Sequence, residues 1–240
     1  MLLLRSLTFF ICLALWTAVI VTILSPLALL RNEKTLMNMA YIWCRVTLKL
    51  LEMTCNLKVR VSGQKNIPII PFILACKHQS VLETIFLMIY IRCPVFIIKK
   101  QLTNVPFYGW FLNSMGMITI DREKGLSSLK KLLRQCRKVF DDKRNLIIFP
   151  EGTRTQPFES KEFKLGVLAI KKKFKHIPII PVALNSGLFW SKNSLLIKPG
   201  IADIQILPEI RCSDSGEFII SLQKQINEKS YFLCKQAWLK

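Results

Sequence analysis

The sequence predicts an α/β domain in which a mixed or mostly parallel sheet is flanked by helices, preceded by an N-terminal hydrophobic helix or two-helix membrane hairpin. Short apolar runs suited to buried strands alternate with longer amphipathic stretches, as in βαβ units. A long uncharged run precedes them. The 240 residues suit one sizeable domain and a short extra segment. We therefore place a membrane-anchoring helical segment at residues 1–55 and a single α/β domain at residues 56–240.

The uncharged run, residues 6–30, lies between Arg5 and Arg31 and is dominated by large apolar side chains. As an α-helix its 25 residues would measure about 37 Å. That length exceeds the hydrocarbon core of a bilayer, which is about 30 Å thick. A cleavable signal peptide would have a shorter apolar region ending in small residues, so an uncleaved anchor is favoured.

The second helix is predicted at residues 36–53, where apolar side chains recur at helical spacing and polar ones, including Arg45 and Lys49, share the opposite side. Together with the first helix it would form a hairpin. The hairpin could span the bilayer with one arm, or lie in the interface with both. Alternatively, the second helix simply packs on the globular domain, and the sequence leaves both interpretations open.

The remaining elements follow from apolar periodicity and turn residues. Alternation predicts a half-exposed strand at residues 57–61, and a continuous apolar run predicts a buried strand at 69–75. Further strands are predicted at residues 95–98, 117–120, 145–149, 179–184 and 201–207. Helices are predicted at residues 80–91, 106–115, about 126–140, 165–175 and 216–232.

The net charge of +20 indicates an anionic partner: a nucleic acid, an anionic membrane surface or a phosphorylated substrate. Because 51% of the residues are hydrophobic, membrane contact is favoured. Nucleic acid is the weakest candidate, since no recognition motif accompanies the charge. The eight cysteines form no C-x-x-C pair, and the two histidines lack ligand spacing. We therefore predict reduced thiols, a cytosolic catalytic face and no metal site.

The stretch from Cys76 to Glu83 sets His78 five residues before a carboxylate, where a predicted strand gives way to a helix. Open α/β sheets place their chemistry at such junctions. If the helix begins at Ser80, Glu83 lies in its first turn and can orient the imidazole while the other ring nitrogen accepts a proton. Alternatively, Ser80-x-x-Glu83 is a capping box, in which the carboxylate merely satisfies a backbone amide.

Cationic side chains follow other predicted strands. The segment Glu151-Gly152-Thr153-Arg154 comes directly after a buried strand, where glycine permits a tight turn and Arg154 offers a planar fork for two phosphate oxygens. Arg122 also ends a strand, and Lys164 lies shortly after Arg154. If these strands are neighbours, the three cations would form a phosphate pocket. Otherwise the segment is a loop with a solvated arginine.

Taken together, four segments resemble, in order, the four sequence blocks of the glycerophospholipid acyltransferases, over roughly residues 60–190. They are HQSVLE at 78–83, GMITIDR at 116–122, FPEGTR at 149–154 and IIPVAL at 179–184. The family's first block usually ends in aspartate, whereas Glu83 is one methylene longer and can still accept a histidine N–H. Thr119 replaces a bulky apolar residue in the second block. The segments around Lys99 and Lys164 also resemble stretches of the family.

The resemblance implies an enzyme that transfers a fatty acyl group from an acyl thioester to the 2-hydroxyl of lysophosphatidic acid, giving phosphatidic acid. It implies that His78 is the general base and that Glu83 orients it, with neither a cofactor nor a metal. The donor would be acyl-CoA or an acyl-carrier protein. The residues implied in binding the glycerol phosphate are Arg122, Glu151, Gly152 and Arg154, with Lys99 and Lys164 as further candidates.

Three alternatives differ in acceptor or in class. A glycerol-3-phosphate acyltransferase or another lysophospholipid acyltransferase would share the four blocks. A lipid hydrolase is disfavoured because the chain has no G-x-S-x-G elbow. A non-catalytic, membrane-bound basic protein would tolerate loss of His78. By the resemblance we expect an anionic membrane surface as a partner, no nucleic acid, and a catalytic domain on the cytoplasmic face of a bacterial inner membrane.

Overall fold

The computed structural model describes residues 1–29, 32–69, 71–105, 108–121, 125–212 and 214–239. The helices in these ranges are α1 (Leu2–Leu29), α2 (Glu33–Cys55), α3 (Leu82–Tyr90), α4 (Tyr108–Ser114), α5 (Gly125–Asp141), α6 (Leu165–Lys173) and α7 (Ser215–Trp238). The strands are β1 (Leu57–Ser62), β2 (Ile73–Cys76), β3 (Pro94–Lys99), β4 (Ile118–Ile120), β5 (Asn145–Ile148), β6 (Ile179–Leu184) and β7 (Gly200–Ile206). Among the described residues, 3-10 turns lie at Gln64–Asn66, Lys100–Asn104 and Ser186–Leu188.

The strands form one sheet in the order β1-β7-β6-β2-β5-β3-β4. The strand β2 pairs in parallel with both β5 and β6, and β3 pairs in parallel with β5 and β4. The strands β1 and β7 are parallel to each other, but β7 is antiparallel to β6. The predicted mixed, mostly parallel sheet is therefore confirmed. Five adjacent strands end at the same edge of the sheet, which we call the carboxyl edge.

The core lies on both faces of this sheet. Successive side chains of a strand point to opposite faces, and all four residues of β2 are buried. Ile73 and Ala75 belong to a cluster with α5, α6 and α7, whereas Leu74 and Cys76 belong to a cluster with α2 and α3. A strand that is covered on both faces has a continuous run of apolar residues in its sequence, as β2 does.

The helix α2 packs along the domain and carries α1 on its outer side. Its buried residues recur every three or four positions: Leu36, Ala40, Cys44, Thr47, Leu51 and Cys55. The α1 contact includes hydrogen bonds from Trp16 Nε1 to the Trp43 carbonyl (3.4 Å) and from Trp43 Nε1 to Thr17 Oγ1 (3.0 Å). The second helix therefore packs on the globular domain, as one of the two interpretations predicts.

The N-terminal part of α1 also contacts the segment that follows β6. Phe9 meets Trp190 edge to face, with ring centroids 5.6 Å apart. Ser6 Oγ accepts a hydrogen bond from the Ile197 amide at 2.9 Å. Ser6, Phe9 and Ile197 are fully buried. The first helix is thus built into the carboxyl edge of the domain as well as onto α2.

The outer side of α1 is apolar and exposed. The large exposed side chains there are Leu3, Leu4, Leu7, Ile11, Leu15, Val19, Val21 and Ile23. Within the described residues, Leu2–Ile23 is the one helical segment long and apolar enough to cross a membrane, with a mean hydropathy of 2.3, judged by length and composition alone. Only 17% of its most apolar stretch is buried, whereas a helix in the core of a domain is mostly buried.

Several element boundaries differ by one to a few residues from the sequence predictions. The strand β2 begins at Ile73 rather than 69, because Pro71 lacks the amide proton that a central strand donates. The helix α3 begins at Leu82 rather than at Ser80. The helix α7 continues to Trp238, and Leu233 and Cys234 remain buried beyond its predicted end. Residues 106 and 107, predicted to begin α4, lie outside the described residues.

Candidate active site

The candidate site residues line the carboxyl edge. His78 follows β2, Gly152 and Arg154 follow β5, and Lys99 is the last residue of β3. These strands are adjacent and parallel, so the segments lie side by side, as the phosphate-pocket hypothesis requires. Lys164 precedes α6, and its amide donates to the Pro150 carbonyl at 2.8 Å, beside the loop after β5. Arg122, predicted to bind phosphate, lies outside the described residues.

His78 and Glu83 form a hydrogen-bonded pair, with Nδ1 of the imidazole 2.8 Å from Oε1 of the carboxylate. The carboxylate is fully buried, whereas the His78 side chain is 17% exposed. Because a carboxylate oxygen accepts, Nδ1 carries the proton and Nε2 keeps its lone pair. Nε2 has no hydrogen-bond partner in the described part of the chain. The ring therefore presents an unengaged basic nitrogen, held in one tautomer by the acid behind it.

Glu83 also organises the loop that carries the histidine. Its Oε1 accepts from the amides of Gln79 (2.6 Å) and Ser80 (2.7 Å), while Oε2 accepts from the Ser186 hydroxyl at 2.7 Å. One carboxylate thus both contacts the imidazole and satisfies backbone amides, which the sequence alone left as alternatives. The reciprocal half of a capping box is absent from these described contacts, because Ser80 Oγ accepts from the Leu82 amide, at 3.2 Å.

An aromatic ring fixes the face of the imidazole. Phe149, at the end of β5, stacks on His78 with ring centroids 4.0 Å apart and planes inclined by 18°. The ring of Phe96, in β3, stacks on Phe149 in the same way, with ring centroids 6.3 Å apart. The Glu83 bond and this stacking together restrict rotation of the histidine about both side-chain torsions.

Glu151 lies behind the histidine, within the protein. Its Oε2 accepts from the His78 amide at 3.0 Å, and its Oε1 forms an ion pair with Lys77. The Thr155 amide donates to the His78 carbonyl at 2.8 Å, which fixes the other side of the same residue. Burial raises the pKa of the Glu151 carboxyl above its ordinary value, against the opposing attraction of Lys77. The structure thus places Glu151 against the His78 backbone.

Lys77 is almost completely buried and uses all three of its donors. Besides Glu151, its ammonium donates to the Glu159 carbonyl and to Asn227 Oδ1, each at 2.9 Å. Asn227 belongs to α7, so this lysine connects the His78 loop to the last helix. A buried cation with every hydrogen bond satisfied positions its neighbours and leaves no donor for a ligand.

The cations predicted to bind phosphate are more accessible. Gly152 adopts a left-handed conformation, with φ of 70°, and its amide closes a turn on the Phe149 carbonyl at 2.9 Å. Arg154 is half-buried, and Lys99 and Lys164 are exposed. Within the described ranges, none of these three cations forms an ion pair with an acidic side chain. Their charge is therefore available to an anion at the carboxyl edge.

Sequence reasoning missed four residues that hold the site together: Lys77, Phe149, Thr155 and Ser186. Lys77 and Ser186 did carry a signal, because each is a polar residue within two positions of the end of a continuous buried strand. Their partners are distant in sequence, however, and could not be named from spacing. No group of three or more His, Cys, Asp or Glu side chains that could hold a metal ion occurs among the described residues.

The sequence and fold were compared with known proteins. Residues 58–185 match the family model described as Acyltransferase. The 1-acyl-sn-glycerol-3-phosphate acyltransferase of Pseudomonas aeruginosa is 30% identical over 82% of this chain and 73% of its own length. The protein of that name from Saccharomyces cerevisiae is 34% identical over 78% of this chain, which is 64% of the yeast protein.

A solved structure has the same fold. It is the crystal structure of the 1-acyl-sn-glycerophosphate (LPA) acyltransferase PlsC from Thermotoga maritima, with a TM-score of 0.76. The superposition covers 97% of this chain and 95% of that chain, at 19% identity. This likeness confirms the α/β architecture of the chain.

The buried ion pair generates a stability prediction. Replacing Lys77 by Met leaves the Glu151 carboxylate buried without its cation, and we expect a loss of about 3 kcal/mol at neutral pH. The pKa of Glu151, already raised by burial, rises further in the variant. Below the ordinary carboxyl pKa, Glu151 is protonated in both the folded and the unfolded variant, so the electrostatic loss of stability vanishes. This loss grows as the pH rises through the pKa of Glu151 in the folded variant. Thermal denaturation between pH 4 and pH 8 measures this dependence.

Two further variants serve as controls for the Lys77→Met experiment. Adding Glu151→Gln removes the charge, so the double variant should be more stable than Lys77→Met at neutral pH and should lose the steep pH dependence. Lys49→Met breaks an exposed pair with Glu52, which solvent screens, and should change stability little at either pH. An equal penalty at acidic and neutral pH would show that lost packing, rather than the uncompensated carboxylate, causes the effect.

Proposed function

The chain belongs to the acyltransferase family, and we propose that it transfers a fatty acyl group from an acyl thioester to the 2-hydroxyl of lysophosphatidic acid. The names of the Pseudomonas and yeast relatives support this acceptor. The observation that carries the chemistry is the Nδ1 bond between His78 and Glu83, which leaves Nε2 unengaged among the described residues. General-base catalysis of an alcohol's attack requires such a nitrogen.

In the proposed reaction, Nε2 of His78 takes the proton of the 2-hydroxyl while that oxygen attacks the thioester carbonyl carbon. The carbon–sulfur bond of the tetrahedral intermediate then breaks, and the leaving sulfur receives the proton from the imidazolium. The products are phosphatidic acid and a free thiol. Glu83 stabilises the imidazolium between the two steps, because its Oε1 lies 2.8 Å from Nδ1. Neither a metal nor an acyl-enzyme takes part in this scheme.

The phosphate of the acceptor would be held at the adjacent strand ends. Arg154 supplies two parallel donors, and the turn at Gly152 brings backbone close to the anion. Lys99, Lys164 and, from the sequence, Arg122 would add positive charge around it. Glu151 has a different role in this proposal, because its carboxylate is buried against Lys77 and the His78 amide. It positions the base and does not contact the substrate.

The choice of acceptor rests on the relatives, because a glycerol 3-phosphate or another lysophospholipid would present the same hydroxyl and phosphate to this edge. Family membership argues against the non-catalytic alternative. The donor would be acyl-CoA or an acylated carrier protein, since the strongly basic chain attracts either anionic carrier. Both donors release a thiol, which makes one assay suitable for each.

We further propose that α1 lies in the interface of a membrane rather than across it. Hydrogen bonds through Trp16 and Trp43, and the Phe9–Trp190 contact, hold α1 against α2 and the domain, and its exposed side is apolar. The acceptor and product are lipids, so an enzyme seated there meets them directly. By the resemblance, this would be the cytoplasmic face of a bacterial inner membrane, whose anionic lipids complement the net charge of +20.

The base assignment predicts that His78→Ala lowers the rate of acceptor-dependent thiol release by about 10² to 10⁴. The assay follows free thiol from acyl-CoA with and without lysophosphatidic acid. His176→Ala is the matched control, because the second histidine is exposed before β6, at the other edge of the sheet, and its loss should leave the rate unchanged. Release that needs no acceptor would identify a thioesterase, and an unaffected His78→Ala variant would remove this residue from the mechanism.

The phosphate assignment predicts that Arg154→Ala raises the KM for lysophosphatidic acid by about tenfold or more, since a charge-assisted hydrogen bond contributes about 1.5–3 kcal/mol. Arg154→Lys keeps the charge but loses the fork, and should fall in between. Lys173→Ala, an exposed cation on α6, is the control. With monoacylglycerol, which lacks the phosphate, the wild type and Arg154→Ala should behave alike. A similar defect with this acceptor would disprove the assignment.

If α1 lies in the interface, replacing Leu7, Ile11 and Leu15 by Ser should weaken binding to phosphatidylglycerol vesicles by about two orders of magnitude. The reason is that the variant buries less apolar area in the membrane. Vesicle co-sedimentation measures the partition. Replacing the exposed Leu126, Leu165 and Leu195 by Ser is the matched control and should have little effect. Wild-type protein that resists extraction from vesicles by alkaline carbonate would instead indicate a spanning helix.

A further inference from the structure

A buried hydroxyl from outside the four sequence blocks completes the catalytic pair. Ser186 is the first residue of the 3-10 turn after β6, and it is fully buried. Its Oγ donates to Oε2 of Glu83 at 2.7 Å. The strand β6 lies beside β2 and runs parallel to it, so this turn flanks the His78 loop on the side opposite to β5. The fourth block ends at Leu184, two residues earlier.

The hydroxyl contacts the one carboxylate oxygen that the histidine does not use. Oε1 of Glu83 accepts from the imidazole and from the amides of Gln79 and Ser80. Rotation about the last side-chain torsion of a glutamate is soft, so these three donors on a single oxygen leave the carboxylate plane weakly defined. A donor on Oε2 fixes that plane and keeps Oε1 facing Nδ1.

The turn that carries Ser186 is itself rigidly attached to its surroundings. Asn185 Nδ2 donates to the Leu233 carbonyl at 3.1 Å, and the Gly187 amide donates to Gln79 Oε1 at 3.1 Å. A Cβ at Gly187 would lie 2.9 Å from Cβ of Gln79, so the turn packs against the His78 loop without room for a side chain. The hydroxyl is therefore presented from a fixed frame, as preorganised catalytic support requires.

We propose that Ser186 is a positioning residue for the His78–Glu83 pair and that its hydroxyl is matched to a glutamate at position 83. This inference rests on the proposed function, because it assigns Ser186 a part in the same proton transfer. An aspartate is shorter by one carbon–carbon bond, about 1.5 Å, and from the same backbone position its carboxylate cannot contact both His78 and Ser186. The Ser186 hydroxyl can therefore support the His78–Glu83 pair only when residue 83 is a glutamate.

A double-mutant cycle tests this coupling. Ser186→Ala should lower kcat by about tenfold and change KM by less than about twofold, since the lost hydrogen bond is to a charged group away from the substrate. Ser186→Thr keeps the hydroxyl and should restore most of the rate. In a Glu83→Asp background, where the contact is already lost, adding Ser186→Ala should change kcat by less than about twofold. Penalties that multiply would show two independent sites and would overturn the proposal.

A matched variant separates positioning from folding. Ser230 is also a buried serine, and its Oγ accepts from the Leu184 amide, at 3.2 Å, at the end of the same strand β6. It touches neither His78 nor Glu83. Ser230→Ala should therefore lower the melting temperature without lowering kcat at a temperature where the protein is folded. An equal loss of kcat in Ser230→Ala and Ser186→Ala would assign Ser186 a purely structural role.

A second readout does not depend on turnover. The chain has only two histidines, so ¹⁵N-histidine labelling gives two ring systems, and His176→Ala assigns them. In detergent micelles, the Nδ1–H signal of His78 should be protected from solvent exchange in the wild type and in Ser186→Thr, and broadened in Ser186→Ala. An unchanged signal in Ser186→Ala would contradict the positioning role.

The two readouts also distinguish failure of this inference from failure of the proposed function. If the wild type releases no thiol with lysophosphatidic acid, the proposed function fails, and the Nδ1–H signal alone decides whether Ser186 holds the pair. If the wild type is active while both the signal and the cycle show no coupling, the inference fails and the proposed function stands.

Discussion

The structure depends on satisfying one buried carboxylate. Glu83 is fully removed from water, and a charged group in that position is tolerated only when hydrogen-bond donors replace its hydration. Four donors do so: the imidazole of His78, the amides of Gln79 and Ser80, and the hydroxyl of Ser186. The His78 loop and the turn after β6 are shaped by this requirement. The orientation of the His78 ring is one result of it.

A second buried charge is satisfied directly behind the first. The Lys77–Glu151 pair joins the loops after β2 and β5, and Lys77 extends the connection to Asn227 of α7. Glu151 then holds the His78 amide from inside while Glu83 holds the ring. A pair of this kind adds little net stability, because desolvation offsets the attraction. Its contribution is to fix the relative positions of two strand ends, which the proposed role of His78 as a general base requires.

The sequence predicted the sheet because its parallel strands are buried on both faces and appear as apolar runs. It predicted the contact between His78 and Glu83 because the two residues lie only five positions apart, where β2 gives way to α3. Contacts between distant residues could not be predicted. Ser186 lies 103 residues after Glu83, and Glu151 lies 73 residues after His78. The predicted substrate-binding role of Glu151 followed the motif, whereas its burial depends on Lys77, whose importance only the folded chain reveals.

The contact of α1 with the segment after β6 has a practical consequence for dissecting this protein. Trp190, which Phe9 meets, donates its amide to the Ser186 carbonyl at 3.0 Å, so the residues between α1 and Glu83 form a continuous set of contacts. A chain shortened to begin at residue 56 would expose Ile197 and the Trp190 ring to water and would loosen the turn behind the acid. Shortening the protein to improve its solubility would therefore alter the environment of the His78–Glu83 pair, and kinetics measured on such a fragment would describe a different site.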